Sequence, residues 1–352
     1  MKVEILDGAA APRAQREQEL LDRGVGLPFA SRLATAHLAE YSPSFFLTVL
    51  DNSGRGVGGF SVQSRRAPFI AGHRLLRVEE FGDSIPMSAA EATISGLMTW
   101  IMKNPRVLRL SLDLFSFDPE RRKELADMLS RRGFRRMTHP NGYAETLITE
   151  LDKSEAELFA ALHHSARRKI RAIEKHPVEL RPVIDVMYGD RMNELLLQTF
   201  ARTGGRVHER NWSERIELSQ RHPNISRIVG LFRSNVSGPE SLLAYAWGCR
   251  SGDHVYYSEA ASTRETGEQR IALAYGVMWD LIVWAKRTGA RLFDFGGITR
   301  GSYGNEDPLG GISDFKRYFS QQLVPVREEW VLNQHTRRAA VVAAIHRRVR
   351  GG

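Results

Sequence analysis

The chain has 352 residues, 42% of them hydrophobic and 26% charged, which suits a folded protein of two domains, each with its own core. No apolar run approaches the ~20 residues of a helical membrane span, and a single cysteine excludes an internal disulfide and a cysteine-built zinc cluster. The net charge of +9 favours an anionic partner: tRNA, a nucleotide-linked substrate, coenzyme A or an acidic membrane surface.

The first twenty residues are mixed and charged, so no signal peptide is expected, and with the lone thiol this points to a reducing cytoplasm. Residues 3–6 read as a strand and 14–22 as a charged helix. Residues 45–50 are rich in β-formers, Asp51-Asn52-Ser53-Gly54 supplies turn chemistry, and 57–62 returns as the partner strand. Another strand is expected at 75–80. Ile94, Leu97, Met98 and Ile101 lie along one side of a helix over 88–102. A strand at 107–114 precedes a helix at 118–131, which Gly133 closes in a position that accepts left-handed backbone. Residues 134–137 and 143–149 are expected to form a hairpin across Pro140-Asn141-Gly142. This order supports a mixed α/β domain, and no phosphate-cradling loop is evident in it.

Ser154, with Glu157 three residues later, forms a candidate capping box for one helix running to Lys175. Five basic side chains stand against one acid between Arg167 and Lys175. Arg167 and Arg171 share a helix face, and the planar fork of arginine suits phosphate; an exposed linker helix is the other reading. The second half continues as a strand at 178–183, helices at 187–203 and 212–220, and strands at 225–232, 242–248 and 254–261. Tyr256 and Tyr257 point to opposite faces of the last of these, so one is expected in the core and the other toward a groove. A helix over 271–287 is built around Leu273, Val277, Leu281 and Trp284. After a strand at 323–332, residues 335–350 form a basic amphipathic helix placed for nucleic acid or peripheral contact with an anionic membrane, or else a mobile tail.

The stretch from Arg291 to Phe319 organises the rest. It reads as an alternating buried strand, a double-glycine exit at Gly296-Gly297, a long polar loop and a short aromatic, basic helical turn. An acid at a strand's exit, followed by such a loop, is a common address for chemistry. There is no nucleophilic-serine motif, no His-Glu metal helix and no Walker-type lysine loop. His163 and His164 are expected to point about 100° apart in a helix, so no metal site is expected, and Cys249 reads as a small buried hydrophobe.

Phe293-Asp294-Phe295-Gly296-Gly297-Ile298, followed by Asp314-Phe315-Lys316-Arg317-Tyr318-Phe319, resembles the closing motif of Fem-type aminoacyl transferases, which belong to the tandem acyltransferases of the GNAT fold. Residues 165–175 are similar to the basic helix joining that family's halves. Ser320 stands where the family has glycine, and Gln269 where acetyltransferases of this fold have Gly or Ala. The resemblance implies an α/β chain of two tandem GNAT-like domains, each a mixed, mostly antiparallel sheet flanked by helices. These would be residues 1–152 and 177–333, with a basic connecting helix at 153–176 and a basic tail at 334–352.

It further implies an amide-forming transferase that carries an acyl group from aminoacyl-tRNA to an amine of a small molecule or peptidoglycan precursor, without a tightly bound cofactor. Acyl-CoA-dependent N-acyltransfer and a non-catalytic tRNA- or envelope-associated binding protein are the alternatives. In this frame Lys316 stabilises negative charge on the oxyanion or on a donor phosphate. Asp294 orients or deprotonates the amine, or caps the glycine turn, and Tyr257 joins them. Arg202, Tyr256, Arg300, Tyr303, Glu306 and Phe315 are the expected substrate contacts. Arg167, Arg168, Lys169 and Arg171, with Arg264 and Gly267 before the 271–287 helix, are the expected phosphate contacts.

Overall fold

The structure, a computed structural model, describes residues 1–7, 10–39, 42–68, 70–138, 142–203, 209–264, 271–299, 301 and 310–334. The first half runs β1 (Lys2–Asp7), α1 (Ala10–Asp22), β2 (Ser42–Leu50), β3 (Gly56–Arg66), β4 (Arg74–Gly82), α2 (Met87–Lys103), β5 (Val107–Phe115), α3 (Pro119–Arg131) and β6 (Arg135–Arg136). Then come β7 (Glu145–Glu150), α4 (Glu155–Ala161), α5 (His164–Ile173), β8 (Val178–Pro182), α6 (Gly189–Thr203), α7 (Trp212–Arg221) and β9 (Ser226–Arg233). The chain continues through β10 (Leu242–Ser251), β11 (His254–Ser262), α8 (Leu273–Arg287), β12 (Leu292–Gly297), α9 (Gly310–Arg317), β13 (Gln322–Pro325) and β14 (Arg327–Asn333).

These elements form two seven-stranded sheets flanked by helices, ordered β1-β2-β3-β4-β5-β14-β6 and β13-β7-β12-β11-β10-β9-β8. In the first, β4 and β5 run parallel, and in the second β11 and β12 do. The α/β class and the pair of mixed, mostly antiparallel sheets are as expected. The compact units are not contiguous in sequence: one is Met1–Ala144 with Pro325–Gly352, the other Glu145–Val324.

Strand exchange is the reason, and it corrects three expectations. Residues 134–149 form no hairpin, because β6 pairs with β14 while β7 pairs with β12. Residues 323–332 are two strands, with β13 beside β7 and β14 between β5 and β6. The linear division at residues 152 and 333 therefore gives way to units that each hold a strand from the other half of the sequence. Burial decides this over local turn chemistry. Leu147 of β7 is buried in the second core, and Trp330 of β14 in the first. The Pro140-Asn141-Gly142 signal is worth less than seating these side chains, at about 1.5–3 kcal/mol for a fully buried large apolar group.

Residues 153–176 also belong to the second unit and are not one connecting helix. Leu158, Leu162, Ala166, Ile170 and Ile173 are all buried in its core. The capping box is present: Ser154 Oγ accepts from the Glu157 N–H at 3.3 Å, and Glu157 Oε2 accepts from the Ser154 N–H at 2.8 Å. The helix breaks at Leu162, whose ψ of 150° is extended, and His163 caps the next one by accepting the Ser165 N–H on Nδ1 at 3.2 Å. His163 is thus a cap rather than a helical neighbour of His164, and their ring centroids lie 4.1 Å apart instead of diverging. Gly276 lets α5 approach α8, since a Cβ there would lie 2.6 Å from Ile173 Cδ1. Ser154→Ala should lower stability by about 1 kcal/mol; an unchanged urea midpoint would show that the cap contributes nothing. Among the described residues, no helix is long and apolar enough to cross a membrane.

Candidate active site

In the second sheet the parallel strands β11 and β12 part company. Their register runs from His254↔Leu292 to Tyr256↔Asp294 and stops. Beyond that point β11 continues against β10, and β12 against β7. Both strands carry an extra residue just where they separate. On β11, Ser258 falls between the pairs Gly248↔Tyr257 and Trp247↔Glu259. On β12, the pairing steps from Asp294↔Ile148 to Gly297↔Thr146. Such bulges end pairing and redirect side chains. The parallel pair of the first sheet instead holds to its end at Gly82↔Phe115.

Asp294, fully buried, sits at the point of separation. Its Oδ1 accepts the Gly296 N–H at 2.7 Å. Thr146 Oγ1 stands within hydrogen-bonding reach of the same oxygen and, at 2.8 Å, of the Gly296 carbonyl. Of the roles expected for Asp294, the capped glycine turn is the one these contacts describe. Gly296 has φ of +70°, a conformation that costs an L-residue about 1–2 kcal/mol. Gly296→Ala should destabilise the protein by that amount in urea titration; no loss would mean that the turn relaxes without cost.

Lys316, only 5% exposed, enters from α9. Its Nζ donates to the Gly297 carbonyl at 2.6 Å and stands 5.4 Å from the centroid of the Tyr257 ring. Burial pushes the ammonium pKa down to about 8, with the charge of Asp294 opposing the fall. Burial, then the charge of Glu259, pushes the Tyr257 hydroxyl upward, so this phenol stays protonated. Tyr257 packs on the second core beside Lys316. Tyr256, also half-buried, takes the opposite face, in register with Asp294.

The loop after β12 is tied to α9. Ser313 Oγ accepts the Thr299 N–H at 2.9 Å, and the Arg317 guanidinium donates to the Thr299 carbonyl at 2.7 Å and to Asp314 at 2.8 Å. The backbone of Ser320 needs no positive φ, since among the described residues Glu80 is the one non-glycine that has it; the side chain of Ser320 is therefore accommodated. The Ser320 hydroxyl donates to the Ile148 carbonyl of β7. Phe315 lies in an aromatic cluster, edge to face with Tyr275 at 5.0 Å and with Phe319 at 5.2 Å.

The basic residues of α5 do not form one row. The Arg167 guanidinium closes α4 by donating to the carbonyls of Ala160 and, at 2.8 Å, Leu162. Lys169 Nζ donates to Tyr275 Oη at 3.0 Å and lies over its ring. Arg171 stands 5.2 Å from the Phe159 ring, and Arg168 and Arg264 are exposed. Gly267, Arg300, Tyr303, Glu306 and the tail from residue 335 lie outside the described residues, as does the side chain of Arg202.

Sequence reasoning missed Thr146, a plain threonine 148 positions from Asp294. It also missed a cluster on the α7 face of β10 and β11. There Glu259, 12% exposed, pairs with Arg210 at 3.6 Å, and burial raises its pKa against the pull of Arg210 and Arg215. Tyr245 and Trp212 meet edge to face at 4.9 Å, and Tyr245 Oη and Trp212 Nε1 are buried donors without a hydrogen-bond partner among the described residues. The signal available beforehand was the charged Glu259 inside a strand.

Two mixed sheets, an open split beside a buried lysine, and one chain crossing twice between the units make up a tandem GNAT fold. The structure is similar to that of FemX, with a TM-score of 0.75 at 14% identity over 94% of this chain and 98% of that one. It is also similar to L-PGS from Bacillus licheniformis (TM-score 0.54, 11% identity, 95% of each chain). A tandem GNAT protein of the clavulanic acid biosynthesis pathway shares the fold as well (TM-score 0.50, 13% identity, 94% of this chain and 98% of that one). No family model and no curated protein matches the sequence.

Proposed function

We propose that this chain is an amide-forming transferase whose second unit moves an aminoacyl group from aminoacyl-tRNA to an amine of a small molecule or peptidoglycan precursor. The observation that carries the reading is the buried Lys316 ammonium, fixed by the Gly297 carbonyl where β11 and β12 separate. The amine nitrogen attacks the ester carbonyl and forms the C–N bond, which places negative charge on the carbonyl oxygen. Lys316 has three N–H donors; one is held by Gly297, and the others are available to that oxygen. Collapse of the intermediate re-forms the carbonyl and breaks the C–O bond, and the departing hydroxyl of the tRNA takes up the proton that the amine loses.

Asp294 is a positioning residue: it holds the turn whose carbonyl orients Lys316. The ring of Tyr257, its hydroxyl protonated, offers its face to the ammonium. Tyr256 and the Glu259 cluster line the other face of the split strand, where an acceptor would lie. The Fem-type motif, the fold and the net charge of +9 support an RNA-borne donor in the cytoplasm, and the reaction as written needs no tightly bound cofactor. Incubation with a total charged-tRNA pool or an acyl-CoA panel, each with candidate amines, tests this by product mass and thiol release. An amide made from the tRNA pool without thiol release is expected. Thiol release would move the donor to acyl-CoA, and no product from either would leave a binding protein on a transferase scaffold.

A further inference from the structure

At the end of the first sheet where β4 and β5 begin, away from their exits at Gly82 and Phe115, lies an open hollow of ≈ 990 Å³. Arg65, Arg66, Arg74 and Arg106 line it together with Asn104 and Trp100, and among the described residues no carboxylate does. Several other arginines of this unit are matched, among them Arg16 with Glu4, Arg121 with Asp83 and Arg132 with Glu91. Arg66, Arg74 and Arg106 are not, since none has a carboxylate within ion-pairing distance among the described residues.

The backbone forces these three together. Arg66 and Arg74 are direct cross-strand partners, and the Arg74 N–H donates to the Arg106 carbonyl at 2.8 Å. Like charges placed opposite each other on a sheet destabilise it, and a bound polyanion removes that repulsion. We infer that this hollow binds the phosphodiester backbone of an RNA strand. Guanidinium forks match phosphate oxygens, the half-buried Trp100 gives a base a face to stack on, and the hollow has room for more than a single phosphate. A concave floor suits a strand better than a lipid surface. Met102, 74% exposed on the last turn of α2, is a feature that lipid would use, so vesicles form a second arm of the test.

The inference rests on the proposed donor only in its choice of probe. Binding of labelled deacylated tRNA and of a short single-stranded RNA is measured by anisotropy between 50 and 200 mM salt, for the wild type and for a triple variant with Arg66→Ala, Arg74→Ala and Arg106→Ala. Losing three phosphate contacts should weaken RNA binding by roughly tenfold or more and flatten the log–log salt slope by about two. Arg66→Glu alone should act in the same direction, which keeps the test open if the triple variant misfolds. RNA binding that is unchanged in both variants overturns the hollow and leaves the donor reading intact. A wild type that binds no RNA overturns both. Loss of binding to anionic vesicles with RNA affinity unchanged assigns the hollow to lipid and overturns the inference.

Discussion

Lys316→Ala is expected to lower turnover by roughly a hundred- to a thousandfold, about 2.7–4 kcal/mol, while donor affinity stays within about twofold of the wild type. The lysine acts in its protonated form, so wild-type turnover should fall as pH rises through about 8, where the ammonium loses its proton. The stability effect has the opposite sign. The folded-state pKa lies below the ordinary 10.5, so the unfolded chain holds the proton more tightly and the folded state carries a penalty at every pH below about 8. That penalty disappears between about pH 8 and 10.5; at about 1.36 kcal/mol per pH unit it amounts to at most ~3.4 kcal/mol. Lys316→Met should therefore be inactive, yet gain stability over the wild type at pH 7 and lose that advantage near pH 10.5. Retained turnover and a flat rate profile through pH 8 would remove Lys316 from the chemistry.

Ending the chain at Val324 should unfold the first unit and spare the second. The cut removes β14 from between β5 and β6, and with it Trp330 and Val331, 7% exposed each. It also removes Arg327, whose guanidinium lies 3.3 Å from the buried Asp113. Burial already pushes the Asp113 carboxyl up to about 6 against the pull of Arg327, and losing a partner from a buried charge pair costs about 3–5 kcal/mol. Losing the Trp330 side chain adds about 3–5 kcal/mol and losing Val331 about 1.5–3 kcal/mol, so the total approaches the whole stability of an ordinary domain. Limited proteolysis should digest residues 1–144 of the shortened chain and leave a fragment near 145–324. Equal protection of both halves would show that β14 is dispensable.

Much of this architecture was legible in the sequence, because periodicity and local chemistry carry it. The capping box at Ser154 and Glu157, the helix over Leu273, Val277 and Leu281, and the strand leading to Gly296 and Gly297 are local signals and read correctly. The exchange of β7 and β14 was not legible, because pairing partners more than a hundred positions apart leave no periodic mark. The break at Leu162 was hidden for a related reason. The hydrophobic spacing of α4 and α5 fits one continuous helix, and the turn at His163 exists so that both can seat on the same core. At the site, Lys316 and Asp294 could be found from motif spacing, whereas Thr146 is set by strand register alone.

The interleaving of strands also dictates an order of assembly during synthesis. A nascent chain has every strand of the second sheet once Pro325 leaves the ribosome, but the first sheet stays open between β5 and β6 until Asn333 emerges. Translation at about 5–20 residues per second leaves the N-terminal half waiting on the order of ten to forty seconds for its missing strand. The half made first is therefore the half completed last, and its two unpaired edges are the place where a chaperone is most needed.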